Sequence, residues 1–322
     1  MMRPFAFLVP VYAAAVAAKN AAYERGWTEP QLLKWPVVSV GNLSVGGSGK
    51  TPVVIRLAQL LRAEGVSVDV LSRGYGRSGQ GVERVDADGN AARYGDEPLL
   101  IARTAGVPVY VGASRYEAGL LAERDAANEG IHLLDDGFQH RRLARSMDIV
   151  VLHASDFVEG LLPAGRLREP LSSLKRAQAV VLRDEDRELE AELRRRGITA
   201  PLWIHRRELK VDAAGRAVAF CGIARPDEFF AGLRALGLDV TATRSLWDHQ
   251  DYTRAEIERL TGMLRKHSAE CFVTTEKDAA RMTGEQRKML EAAAPLHVAR
   301  LEVVLENEAA VVQQLRALLV RK

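Results

Sequence analysis

Val37–Pro52 reads VVSVGNLSVGGSGKTP. It opens on a short β-branched run, Val37–Val40, passes through a glycine-rich turn, and leads into Pro52–Glu64, where apolar residues recur at helical spacing. The turn ends in Gly49-Lys50-Thr51, the close of a phosphate-binding loop. In such a loop the backbone amides of Ser44, Val45, Gly46, Gly47, Ser48 and Gly49 cradle phosphate oxygens. Lys50 then reaches the β- and γ-phosphates, and the Thr51 hydroxyl binds Mg²⁺. The strict pattern asks for glycine at position 44, and this chain has Ser44, with Gly46 and Gly47 supplying backbone freedom instead. The loop is therefore a variant, and its expected ligands are ATP and Mg²⁺. A guanine-reading [NT]-K-x-D string is absent, since Thr275-Glu276-Lys277-Asp278 has the wrong order.

Outward from this loop, short apolar runs alternate with amphipathic stretches. Ser67–Leu71, Pro108–Val111, Ile131–Leu134, Ile149–Leu152 and Ala179–Leu182 read as strands, and Ser114–Asn128 as a helix. Continuous apolar strands alternating with helices predict a parallel sheet covered on both faces, an α/β doubly wound fold of the P-loop NTPase type. Leu202–Val218 breaks the rhythm and reads as a hairpin turning at Asp212–Gly215. After it the alternation resumes through His297–Val304 to a closing helix from Glu308. The expected organisation is an apolar leader (1–25), a P-loop core (26–205) and a smaller α/β domain (206–322), with the hairpin linker at about 202–218.

Composition narrows the function. With 322 residues, 47% hydrophobic and 27% charged, the chain has ordinary globular proportions and long disorder is excluded. Cys221 and Cys271 form neither a disulfide framework nor a zinc spacing. A net charge of +3 and 6% aromatics, with no RNA-binding motif, argue against nucleic acid as a partner. Pro4–Ala18 (PFAFLVPVYAAAVAA) is nearly all apolar, yet shorter than the roughly 20 residues a bilayer span needs. A buried core helix and a helix lying on a membrane surface are the two readings it leaves open.

Ile131–His140 reads IHLLDDGFQH, an apolar strand ending in aspartate, which places Asp135 or Asp136 beside the metal of the loop. On a regular strand the two carboxylates would point to opposite faces. Asp96 in YGDEP fits a helix N-cap, and equally a catalytic carboxylate at the carboxyl edge of the sheet. Asp248-His249 in SLWDHQDY fits a surface pair or a catalyst. Loop arginines, among them Arg73, Arg115 and Arg168, are of the type that clamps phosphate.

Taken together, VVSVGNLSVGGSGKTP, LSRGYGR, YGDEP, LLDDGFQHRRL, LPAGRLREP, FCGIARPDEF, WDHQDY and TTEKDAARM resemble the tetraacyldisaccharide 4'-kinases of lipid A biosynthesis. They run in family order from about residue 37 to 282, and Ser44 is no departure from that family. The resemblance implies transfer of the ATP γ-phosphate to the 4'-hydroxyl of an acylated glucosamine disaccharide 1-phosphate. It implies Asp96 as general base assisted by His249, with Lys50 on the phosphates. Asp135 and Asp136 fall at the metal, and Arg168 and Glu169 among the site residues. It further implies that the leader sits on the cytoplasmic face of the bacterial inner membrane. A rival from another class is a membrane-associated regulatory ATPase of the MinD/ParA type, whose KGGxGKT loop VGGSGKT also resembles. The signature lysine of that group would fall at Val45.

Overall fold

The computed structural model describes residues 5–46, 49–247 and 250–320. Its strands are β1 (Val37–Gly41), β2 (Ser67–Ser72), β3 (Glu83–Arg84), β4 (Val109–Val111), β5 (Gly130–Asp135), β6 (Met147–Val151), β7 (Ala179–Arg183), β8 (Leu202–Lys210), β9 (Arg216–Cys221), β10 (Asp239–Ser245), β11 (Cys271–Thr275) and β12 (Leu296–Leu305). They form one twelve-stranded sheet in the order β10-β9-β11-β12-β8-β7-β6-β1-β5-β2-β4-β3. All pairings are parallel except β12 with β8 and β3 with β4. Every residue of β1, β5 and β6 is buried, which is why these strands read as unbroken apolar runs. The chain leaves β1 through the helix Lys50–Ala63 and returns in β2, beyond β5. The carboxyl end of β1 is thus flanked by β5 and β6, the crevice where open α/β sheets bind ligands.

The expected hairpin over 202–218 does not form. β8 pairs with β7 and β12, whereas β9 pairs with β10 and β11. The reason lies in β9, where Ala217 to Cys221 are buried at every position. A strand apolar on both faces belongs inside a parallel sheet, not on a solvated hairpin arm. β8 instead takes a partner from far along the chain, Arg300–Leu305 of β12, with Lys210 and Glu302 paired at 2.5 Å.

The closing helix Glu308–Val320 packs back against Lys50–Ala63, placing Val311 and Leu315 in the core with Val53, Val54 and Leu57. Each such buried side chain contributes about 1.5–3 kcal/mol. The half-exposed Arg56–Glu308 pair at 2.6 Å adds less than about 1 kcal/mol, so packing holds this helix in place.

Candidate active site

The phosphate loop leaves β1 at Gly41, where an added Cβ would lie 2.5 Å from Phe138 Cβ, so only glycine fits where the loops after β1 and β5 meet. Gly49 (φ 80°) turns the chain into the helix that begins at Lys50. A strap from the LPAGRLREP segment pairs with the other flank of the loop. Arg168 N donates to Leu43 O at 2.6 Å, and Val45 N donates to Arg166 O at 2.8 Å. Gly47 and Ser48 lie outside the described residues.

Lys50 Nζ donates to Asn42 Oδ1 at 3.0 Å and stands 3.4 Å from Asp136 Oδ1. Asp136 also accepts from Arg168 Nη1 at 2.8 and 3.0 Å. Burial works to raise the Asp136 carboxyl, but Lys50 and Arg168 outweigh it and hold the group below the usual carboxylate range. Asn42 was not among the expected residues. It is fully buried, donates to Ser44 O at 2.7 Å, and accepts from Gln139 Nε2 through its own carbonyl at 2.9 Å. An asparagine directly after an apolar strand and ahead of the glycines was the available signal.

The two aspartates do not both lie on a regular strand. β5 ends at Asp135, and Asp136 takes a left-handed conformation (φ 51°), unusual for a residue with a side chain. Asp135 accepts from Ser72 Oγ at 3.1 Å through one oxygen. Its other oxygen, Oδ1, is buried with no hydrogen-bond partner among the described residues. Burial, then Glu97 and Asp136, push this carboxyl well above the usual range. A buried, unpartnered hard oxygen beside a second carboxylate suits a divalent cation. Among the described residues no group of three or more His, Cys, Asp or Glu could hold a metal alone, so phosphate oxygens would have to complete the set.

Basic residues rim this centre. Arg115 opens the helix Arg115–Asp125, is buried, and donates to Ala113 O at 3.1 Å. Burial, then the neighbouring Arg73, pull its guanidinium down to about 10 against the opposing pull of Asp136 and Asp135. Arg73 itself is exposed just past β2. His140 is held neutral, at about 4, by burial and by Arg115, Arg145, Lys19 and Arg142. A neutral imidazole inside a cationic rim marks a place that favours an anion.

Asp96 is the first residue of the helix Asp96–Ala105, and the cap position belongs to Gly95 (φ 93°). Glycine suits that place, because a side chain would be strained at this φ and its Cβ would sit a tight 3.2 Å from Gly74 Cα in the SRGYGR loop. The Asp96 carboxylate faces Arg281, with Oδ2 3.8 Å from Nε. Sequence reasoning passed over Arg281, whose only signal was its place in TTEKDAARM. His249 lies outside the described residues.

The leader forms a continuous helical stretch, Ala6–Leu8 and then Val9–Glu24, with none of its residues buried. One stripe is tied to the site. Tyr12 OH donates to Arg168 O at 3.0 Å, Lys19 Nζ to Gln139 O at 3.0 Å, and Asn20 Nδ2 to Glu169 Oε2 at 2.9 Å. Glu169 is in turn held by Arg176 at 2.9 Å. Phe5, Phe7, Leu8 and Val11 stand exposed. Ala6–Glu24 is, by length and composition, sufficient to cross a membrane, which is more than the fifteen-residue apolar run implied.

Comparison with known proteins places the chain. The model of the tetraacyldisaccharide-1-P 4'-kinase family matches residues 1–320. The tetraacyldisaccharide 4'-kinase of Koribacter versatilis is 42% identical over 98% of each chain. That of Pelobacter propionicus is 38% identical over 99% of this chain and 92% of its own. The crystal structure of "apo"-form LpxK from Aquifex aeolicus in complex with ATP superposes with a TM-score of 0.77 at 31% identity, covering 97% of both chains.

Proposed function

This chain belongs to the tetraacyldisaccharide-1-P 4'-kinase family, and we propose that its chemistry is centred on Lys50, Asp136 and Asp96. It is an ATP-binding kinase of lipid A biosynthesis that phosphorylates the 4'-hydroxyl of tetraacyldisaccharide 1-phosphate. The assignment of roles to residues is our reading.

Phosphoryl transfer depends on positioning and charge neutralisation more than on covalent catalysis. The amides of Ser44–Gly49 and the Lys50 ammonium take the nucleotide phosphates. Lys50 rests on Asn42 and Asp136, so a bound phosphate replaces carboxylate contacts already aimed at the same place. Thr51, Asp135 and Asp136 would hold Mg²⁺, which when bound neutralises charge on the β- and γ-phosphates. The acceptor oxygen forms the new bond to phosphorus as the bond to ADP breaks. Asp96 takes the proton from the acceptor hydroxyl, with His249 assisting. Arg73, Arg115 and Arg168 meet phosphate charge at the rim, and Glu169 holds Arg176 and the leader in register.

The same reading puts the enzyme peripherally on the cytoplasmic face of the inner membrane. The leader is attached by hydrogen bonds worth about 1 kcal/mol each, while its exposed phenylalanines and aliphatics gain only from an apolar medium. We also infer that residues 206–322 act as a smaller unit on the P-loop core, joined where β12 pairs with β8.

The observation that carries the reading is Lys50 and Arg168 converging on Asp136 at the mouth of the loop. A radiolabel assay tests it, with γ-labelled ATP, Mg²⁺ and tetraacyldisaccharide 1-phosphate in detergent micelles. Label entering the lipid, and lost in Lys50→Ala, supports the assignment. Label released solely as free phosphate points instead to a regulatory ATPase.

A further inference from the structure

The geometry points to Arg281 as the residue that positions Asp96. This inference rests on Asp96 being the base and adds the group that aims it. Arg281 closes the short helix Glu276–Arg281 after β11. One nitrogen of its guanidinium is fully engaged: Nη2 donates to Gly222 O at 3.1 Å and to the Asp278 carboxylate. Asp278, fully buried, is itself fixed by Tyr252 OH at 2.7 Å, Gly222 N at 2.9 Å and Thr275 Oγ1 at 2.5 Å. The Tyr252 ring lies 5.7 Å from the guanidinium carbon, against its face. Arg281 is thus held on two sides in one orientation.

Two nitrogens are left over. Nε and Nη1 are buried and have no hydrogen-bond partner among the described residues, while Nε stands 3.8 Å from Asp96 Oδ2. Buried donors without partners are costly, so such a pair is kept where an acceptor closes on it. The acceptor in front is Asp96. A guanidinium fixed through Nη2 and open at Nε restricts the Asp96 carboxylate through Oδ2, and so sets the direction from which that carboxylate meets the acceptor hydroxyl. Asp96 belongs to a helix packed on Lys50–Ala63, and Arg281 to the strand–helix unit around β11. The base is therefore aimed only while these two parts are docked, and Lys277 and Glu97 at 3.9 Å flank the same contact.

A double-mutant cycle on the full chain in micelles tests this. Arg281→Met should lower kcat by about tenfold with both KM values within about twofold, because aim and not affinity is lost. In the Asp96→Asn background the same change should lower kcat no further. Arg281→Lys keeps the charge without the fork and should recover part of kcat at an unchanged melting temperature. Equal losses from Arg281→Met in both backgrounds would overturn the proposal, as would a Lys variant that melts normally and recovers nothing. Near-normal turnover of Asp96→Asn alone would overturn the base assignment itself, a result separate from parallel losses.

Discussion

The Tyr12 hydroxyl donates to the Arg168 carbonyl at 3.0 Å, across 156 residues of chain. A residue of the leader helix therefore steadies the backbone of the strap whose side chain grips Asp136. The leader is tied to the site through this contact. Tyr12→Phe removes one hydrogen bond and should lower kcat/KM for the acceptor about fivefold in micelles, with KM for ATP unchanged. Removing residues 1–25 should abolish transfer even to substrate fully dispersed in detergent. Full activity of the truncated protein would reduce the leader to an accessory.

Lys50→Ala should lower turnover by at least about two orders of magnitude, from loss of charge stabilisation on the transferring phosphoryl group. Asn42→Ala is the finer test. It keeps the Lys50 charge but removes its resting acceptor and the brace on Ser44 O. A loss of about tenfold in steady-state turnover is expected, smaller than that for Lys50. Equal losses in the two variants would mean that the loop collapses without Asn42.

What could be read in advance followed the local rules. The phosphate loop, the parallel strands and the aspartates at the end of β5 were legible because each depends on residues adjacent in the chain. The β8–β12 pairing was not, since its partners stand far apart in the chain, Lys210 with Arg300 at the nearest, and leave no local mark in either strand. A regular strand would have sent Asp135 and Asp136 to opposite faces, whereas Asp136 takes a positive φ and meets Lys50 and Arg168, which the chain brings in from elsewhere. Arg281 escaped for the same reason, because its meaning lies in facing Asp96 across the fold.

Asp135→Asn separates stability from function. Burial and two neighbouring carboxylates penalise the Asp135 charge in the folded protein, and Oδ1 has no partner among the described residues to offset this. A neutral isostere removes the penalty, so the nucleotide-free variant should melt about 2 °C or more above the parent at pH 8. Its turnover should fall by at least about a hundredfold, and Mg²⁺–ATP, which should raise the melting temperature of the parent, should leave that of the variant unchanged. A lower melting temperature would mean that Asp135 is satisfied as a charge.

His205 supplies a test of the sheet's interior by pH. It lies buried in β8, with Nδ1 unpartnered among the described residues, and burial and then Arg207 pull its imidazole down to about 4. The unfolded chain takes up a proton near pH 6.5 that the folded chain refuses until about 4. Stability therefore falls as pH drops through that window, by up to about 1.4 kcal/mol per pH unit for this one group. His153 and His140, also held down at about 4, act in the same direction. Asp135, with its raised carboxyl, acts in the opposite one, because the folded state binds that proton first. The total pH slope is thus a difference of opposing contributions, and comparison with His205→Gln isolates one of them. Denaturant unfolding at pH 7, 6 and 5 should show the variant losing up to one proton of linkage relative to the parent. An unchanged slope would mean that His205 reaches water, and that β8 opens locally where it crosses from β7 to β12.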